Sequence, residues 1–552
     1  MTLGHLDFTP PGPGAWFTDG LHSLRPATAI SGVSRSGVQS GMRISNSRYG
    51  SLFDGMLMAS LHRFTYGQMR FLIGRPPGAD PVAKARFDAE VAANPELQER
   101  FARAADAVES KRWRRDTAFW DEVSRPWLMG RTLELTDEVP ASMSDQALVA
   151  HLDEILQQSI AANQHHHILN MVHGAPRTVF IVCTGDWTGL TAMDLEPLLV
   201  GSSPISAGDE PELRALTTAI HSDGAASDLV AGSDDPAARL DALVNRGGSV
   251  GEAARLYVRV VGYRIIEGWE PMNPHILEQP QLILDKVAHS LGATYPALDE
   301  DVRASVRDKV PDAHRNEFDE ILKDARDCHR IRDERDIYCN MPVGGLLRRA
   351  VIEAGRRLAK QGRIDDAEFL TEASRNEIER LLLRGEGPLS SELQDRYEYR
   401  QTYTIRDIPP VIGEPDQVPV TPDWLPPASR LLARGGGLAS MFEAEADKKL
   451  TGQCASPGVY EGVARLVRRA SELDRVAQGD VLVTESTNPA FNIVLPRLGA
   501  IVTAFGGLLS HAAIVAREFG LPAVVGCKDA TMLIEDGARV RVDADKGEIT
   551  IL

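Results

Sequence analysis

A histidine at position 511 sits in Gly506-Gly507-Leu508-Leu509-Ser510-His511-Ala512-Ala513, after an apolar run from Ala500 to Thr503 and at the head of a helical stretch. A histidine held where a glycine loop enters a helix lies beside open backbone N–H groups and the positive end of the helix dipole, and both favour an anionic phosphate. Imidazole is a competent nucleophile near neutral pH, so the arrangement suits a group that accepts phosphoryl and passes it on through a labile P–N bond. Gly506 and Gly507 let the backbone approach an anion without a Cβ in the way, and Thr503 and Ser510 supply hydroxyl donors. Glu518 is seven positions after His511 and shares its helical face; it could orient a ring nitrogen or form a surface salt bridge, of which the surface role is preferred, and Arg517, off that face, is a weaker candidate for a phosphate contact.

Two further groups carry chemistry. Gln164-His165-His166-His167, followed by His173, concentrates bases that could take a proton from an attacking hydroxyl. Three successive histidines point in different directions on a helix, so a structural or surface role stands beside the catalytic one. A zinc site is the remaining alternative, with no thiol or carboxylate completing a recognisable pattern. The other group is Arg326, His329, Arg330, Arg332 and Arg335, whose guanidinium forks match phosphoryl oxygens but cannot all share one helical face. Cys328 and Cys339 have poor metal spacing and read as buried thiols. No metal site is expected.

The elements that position these residues follow from composition and pattern. The 552 residues suffice for roughly three or four domains. A net charge of -18 argues against nucleic acid or an anionic membrane as partner. Five scattered cysteines argue for a reducing compartment. Residues 1–18 lack a signal pattern, no apolar run is long enough to span a bilayer, and a cytoplasmic location is expected. Residues from about 50 to 175 read mostly as helices, with Ala83 to Val108 split at Pro95 and a clear helix over Ser144 to Ile168. Thr178 to Cys183 reads as a buried strand, and helices resume from Glu210 to Arg400. Leu346 to Lys360 is the clearest of them, stopping at Gln361-Gly362. Residues 408–450, rich in proline and then glycine (Arg434-Gly435-Gly436-Gly437), read as a linker between a mainly helical region, 1–407, and an α/β domain, 451–552. That domain has strand patterns at Gly462–Val467, Asp480–Thr484, Ala500–Thr503, Pro522–Val525, Arg539–Val542 and Glu548–Leu552. Helices are expected at Asn488–Arg497 and Ser510–Phe519, and a hairpin turn at Ala544-Asp545-Lys546-Gly547.

The stretch from Gly506 to Gly526, with Ser456-Pro457-Gly458 and Glu461-Gly462 before it and Val542-Asp543 and Gly547 after it, resembles the swivelling phosphohistidine domain of the phosphoenolpyruvate-utilising enzymes. The resemblance implies that His511 carries the phosphoryl group, with Gly506, Gly507, Ser510 and Thr503 around it. Leu509 and Ala504 depart from the dikinase pattern and make the loop most similar to that of rifampin phosphotransferases. Gly185-Asp186-Trp187-Thr188-Gly189-Leu190, Gly201-Ser202-Ser203-Pro204 and Arg332-Asp333-Glu334-Arg335-Asp336 resemble the helical substrate-binding domain of the same group. This implies Arg332 as phosphoryl clamp, His165, His166 or His167 as base, and Arg335 and His173 as substrate contacts. No nucleotide-binding glycine loop is recognisable, and Leu552 follows His511 too soon to leave room for a phosphoenolpyruvate-binding barrel. The expectation is a multidomain, substrate-binding, histidine-carrying subunit similar to those of phenylphosphate synthase and alkylphenol phosphotransferases. ATP and Mg²⁺ would be held by a separate ATP-grasp subunit, and a small phenol would be phosphorylated as ATP goes to AMP and phosphate. A rifampin-type antibiotic phosphotransferase and a non-catalytic phosphocarrier or regulatory scaffold are the alternatives.

Overall fold

In the computed structural model the described residues are 6–19, 24–74, 81–206, 208–266, 269–293, 295–414, 420, 422–434, 450–468, 470–488, 491–492, 494–508 and 510–552. They divide into two units. One comprises Met1–Ala192, Trp269–Met272 and Val310–Gly436, the other Met193–Gly268, Asn273–Lys309 and Gly437–Leu552. The helical region is therefore shared between the units, with residues 193–268 and 273–309 grouped with the C-terminal domain.

The first unit is mainly helical. Helices Arg35–Arg48 and Asp145–Ile168 pack closely because Gly37 and Gly41 face the second helix; a Cβ at either would strike the carbonyl of Ile160 or Gln164. Ser144 caps the second helix by accepting from the N–H of Ala147. Helices Pro81–Ala93 and Pro95–Glu109 are separate elements, and Asn94 caps the latter by accepting from Glu96 N–H, with Pro95 in the first turn where a missing N–H costs nothing. Two expectations fail here. Residues 178–183 are helical, inside Asn170–Thr188, because this β-branched apolar run is buried on several sides by neighbouring helices. Residues 53–71 form a hairpin, not helix. Strands β1 (Trp16–Thr18), β2 (Phe53–Leu61), β3 (Phe64–Phe71) and β4 (Val411–Ile412) make an antiparallel sheet in the order β2-β3-β1-β4. The turn uses His62 and Arg63, both at positive φ, 49° and 72°. Arg63 is held there by donating to the carbonyls of Ala27 and Arg396 and pairing with Glu372. Within the expected linker, β4 joins this sheet and helix Pro427–Arg434 ends on an ion pair from Arg434 to Asp186 at 2.6 Å. Residues 435–449, with the glycines expected to act as pivots, lie outside the described residues.

The second unit is built on a seven-stranded sheet. Its strands are β5 (Gln453–Ser456), β6 (Val459–Val467), β7 (Asp480–Thr484), β8 (Leu498–Thr503), β9 (Ala523–Val525), β10 (Arg539–Asp543) and β11 (Glu548–Ile551), in the order β11-β10-β6-β7-β8-β9-β5. Strands β6 to β9 are parallel; β5, β10 and β11 run antiparallel to their neighbours. Both faces are covered, so alternate residues feed two cores. Val481, Val483, Ala500 and Val502 enter one; Leu482 and Ile501 enter the other with Ala512, Val515 and Ala516 of helix His511–Phe519. Ile266 and Leu282, from the earlier helical segment, belong to that second core. Asn492 Nδ2 donates to the carbonyl of Ile205 at 3.3 Å, and Arg497 pairs with Asp285 at 2.8 Å. In place of the helix expected over 488–497, the described residues there hold the short 3₁₀ turn Leu495–Arg497.

Candidate functional site

Adjacent parallel strands release their following loops at one edge of a sheet. β7 and β8 pair up to Thr484↔Thr503, and the ladder continues past the strand ends, with Ala504 N–H on the carbonyl of Thr484 and Phe505 N–H on that of Glu485. The loop after β7 thereby reaches the loop after β8. Thr487 Oγ1 lies 2.9 Å from Nδ1 of His511. Sequence reasoning missed Thr487; its signal is a short polar run directly after a parallel strand.

His511 is half-buried at the first position of its helix. Ser510 is the N-cap, accepting from Ala513 N–H at 3.3 Å, and Ser510 N–H donates to the carbonyl of Gly507 at 2.9 Å. Gly506 has φ 108°, and a Cβ there would come within 2.9 Å of Ser510 Cβ, so the loop requires glycine. Gly507 is buried. Thr503 is fully buried at the end of β8, its hydroxyl without a hydrogen-bond partner among the described residues.

The far end of this helix corrects the surface reading of Glu518. Glu518 is buried and accepts from Gly201 N–H at 2.8 Å. Arg517 donates through Nη1 to the carbonyl of Ala455 and through Nη2 to that of Leu508, both at 3.0 Å, and its partner is Glu196 at 3.4 Å, with side chains 7% and 5% exposed.

In the first unit the structure separates His165 from His166 and His167, whose rings meet edge to face at 4.6 Å. His165 faces Trp127, ring centroids 5.6 Å apart, and desolvation lowers its pKa. His167 is buried with its Cβ beside Gly41 of helix Arg35–Arg48 and its ring against that of His166. His166 is buried with Nδ1 3.1 Å from Asp336 Oδ1 and 3.3 Å from the carbonyl of Arg335, and with its ring edge-on to Trp269 at 5.5 Å. Asp336 opens a π-helical turn, Asp336–Asn340, a local widening that re-aims side chains and recurs at functional sites. Arg335 donates to the carbonyl of His166 and to Asn170 Oδ1. His173 joins the group: desolvation and the charges of Arg335 and Arg332 hold its imidazole well below the usual value, so it is neutral at neutral pH. Arg332 makes a two-point pair with Asp333, Nε–Oδ1 2.7 Å and Nη2–Oδ2 2.9 Å. Arg330 is a structural cation, bridging Asp121 and Glu334 while Trp120 Nε1 donates to Glu334. His166, His167 and Arg335 thus lie together, with His173 close enough to Arg335 and Arg332 to feel their charges; His165 faces Trp127 instead. With Nδ1 bonded to the Arg335 carbonyl and close to Asp336, Nε2 of His166 is the nitrogen that could accept a proton, as in an oriented general base.

Among the described residues no three His, Cys, Asp or Glu side chains form a metal-ligand set. Among the described residues no helix is long and apolar enough to cross a membrane.

Comparison with known proteins matches residues 476–547 to the PEP-utilising enzyme, mobile domain. An uncharacterized phosphotransferase of Bacillus subtilis, YvkC, is 33% identical over 242 residues, which cover 43% of this chain and 27% of that protein. A rifampicin phosphotransferase of Streptomyces is 40% identical over 130 residues, 23% of this chain and 15% of that protein. The phosphoenolpyruvate synthase of Pyrococcus furiosus is 48% identical over 103 residues, 19% of this chain and 13% of that protein. The chain spans less than a third of the length of each of these relatives. His511, its glycine loop and strands β7 and β8 thus lie in the stretch that matches the PEP-utilising enzyme, mobile domain, and over part of its length the chain is similar to phosphotransferases.

Proposed function

We propose that this chain is the histidine-carrying, acceptor-binding part of a phosphotransferase that works through phosphohistidine at His511. The observation that carries the reading is the setting of that imidazole: the first residue of a helix, in a loop that requires glycine, with Nδ1 engaged by Thr487. With Nδ1 engaged, Nε2, a buried atom here, is the nitrogen this reading leaves for phosphorus, and the positive end of the helix dipole would offset the added charge.

The acceptor in this reading is a hydroxyl compound, and a phenol fits best. The acceptor base is His166, with Asp336 orienting it, Arg335 beside it, and His173 close enough to Arg335 and Arg332 to feel their charges. The O–P bond forms as the His511 N–P bond breaks. The hydroxyl proton goes to His166, and a proton returns to the His511 imidazole through solvent. ATP and Mg²⁺ belong to a separate ATP-grasp subunit that charges His511, leaving AMP and phosphate. The rifampicin phosphotransferase relative supports a second reading, in which the acceptor is an antibiotic hydroxyl.

The test uses ATP labelled at the β or the γ position, with and without an ATP-grasp partner, and His511→Ala as control. Acid-labile label from the β position that needs the partner and disappears in His511→Ala supports the reading, and a panel of phenols and rifamycins then names the acceptor. Label without a partner removes the two-subunit version. No label under any condition removes the enzyme reading in favour of a scaffold.

A further inference from the structure

We propose that Glu196 is a positioning residue for the phosphohistidine loop, acting through Arg517. The inference rests on the reading of His511 as the phosphoryl carrier. Leu508 precedes His511 by three positions, and its carbonyl accepts from Arg517 Nη2 at 3.0 Å. The same guanidinium donates through Nη1 to the carbonyl of Ala455 on β5, also at 3.0 Å. One buried cation therefore ties the loop to a strand of the sheet.

That cation needs a counter-charge, because a buried guanidinium without one is strongly unfavourable. Glu196 provides it from the 3₁₀ turn Glu196–Leu199, 321 positions earlier in the chain, and its side chain is only 5% exposed. Neutralised in this way, Arg517 acts as a strut for the loop. With Glu196 removed, Arg517 loses that carboxylate, its hold on the Leu508 carbonyl weakens, and the loop carrying His511 loses part of its anchor.

The neighbouring residue supplies an internal control. Glu518 is also buried and also reaches the earlier segment, but its carboxylate holds the backbone N–H of Gly201. Neutralising Glu518 loosens the same segment without unpairing Arg517.

The experiment uses the full chain with ¹⁵N-labelled histidine and phosphoramidate, a small chemical donor that phosphorylates histidine without a protein partner. Wild type, Glu196→Gln, Glu518→Gln, Arg517→Lys and His511→Ala are compared by rate of acid-labile labelling, imidazole ¹⁵N signals of His511 and thermal midpoint. Because small displacements of a reacting atom carry large rate penalties, Glu196→Gln and Arg517→Lys are expected to label on the order of tenfold more slowly, with moved His511 signals. Glu518→Gln is expected to lower the thermal midpoint while labelling at the wild-type rate. Wild-type labelling and unmoved signals in folded Glu196→Gln overturn the proposal, and so does equal slowing in Glu518→Gln. If wild type itself takes no phosphoryl group, the carrier reading fails, and the imidazole signals alone then decide whether Glu196 positions His511. If Glu196→Gln does not fold, Arg517→Lys against Glu518→Gln carries the same comparison.

Discussion

Thr487 and His511 stand 24 positions apart and meet at 2.9 Å, hydroxyl oxygen to Nδ1, because the strands before them are parallel neighbours. In the proposed reading this contact leaves Nε2 as the ring nitrogen that meets phosphorus. Thr487→Val keeps the shape and deletes the bond. Acid-labile labelling of His511 is expected to slow about tenfold, the lower range for losing a hydrogen bond that orients a reactive imidazole. An unchanged rate in the folded variant would remove Thr487 from the mechanism.

Gly506 predicts a linked loss of stability and reactivity. At φ 108°, with Ser510 in the way of any Cβ, Gly506→Ala strains the loop by about 1–3 kcal/mol. Urea denaturation should show the lower midpoint, and His511 labelling should fall with it. A variant as stable and reactive as wild type would mean the loop relaxes into another conformation.

The two half-reactions should separate genetically. His166→Gln and Asp336→Asn are expected to lower phosphorylation of the acceptor hydroxyl on the order of 100-fold, the usual scale for a general base and its support. Labelling of His511 itself should not change. Loss of both half-reactions together would mark the His166 group as structural.

His173 predicts an acid sensitivity with a definite sign. Desolvation and the charges of Arg335 and Arg332 hold its pKa well below the unfolded value. Between that lowered value and about 6.5 the unfolded chain binds the extra proton, so this contribution is complete above about pH 6.5 and is lost as pH falls. One proton gives a slope of at most about 1.4 kcal/mol per pH unit. Urea midpoints at about pH 7.5 and 5.5 should therefore differ less in His173→Asn than in wild type. An equal difference would assign the acid sensitivity to other groups.

What was legible in the sequence depended on how local its cause was. The strands at Asp480–Thr484 and Arg539–Val542, the split at Pro95 and the helix after Ser144 follow from period, caps and proline, which act within a few residues. Thr178 to Cys183 misled because a β-branched apolar run fits a buried helix as well as a strand, and only the neighbouring helices decide. The hairpin at 53–71 carries no Asn-Gly or Asp-Gly turn; His62 and Arg63 are held at positive φ by partners as distant as Glu372 and Arg396. In the candidate site, His511 was legible because loop, cap and helix are contiguous. Thr487, Asp336 and Glu196 were not, because each reaches its partner through tertiary structure. Glu518 looked like a surface residue for the same reason: its partner, the N–H of Gly201, lies 317 positions away.

The division of the chain has a consequence for movement. A phosphohistidine domain joined to its neighbour by one Pro/Gly-rich strap is a ball on a tether, free to turn as far as the strap allows. Here the backbone passes from one unit to the other at 192/193, 268/269, 272/273, 309/310 and 436/437. His511 thus belongs to a unit that also holds residues 193–268 and 273–309, one the chain enters and leaves more than once, and not to a bead hung on a single cord.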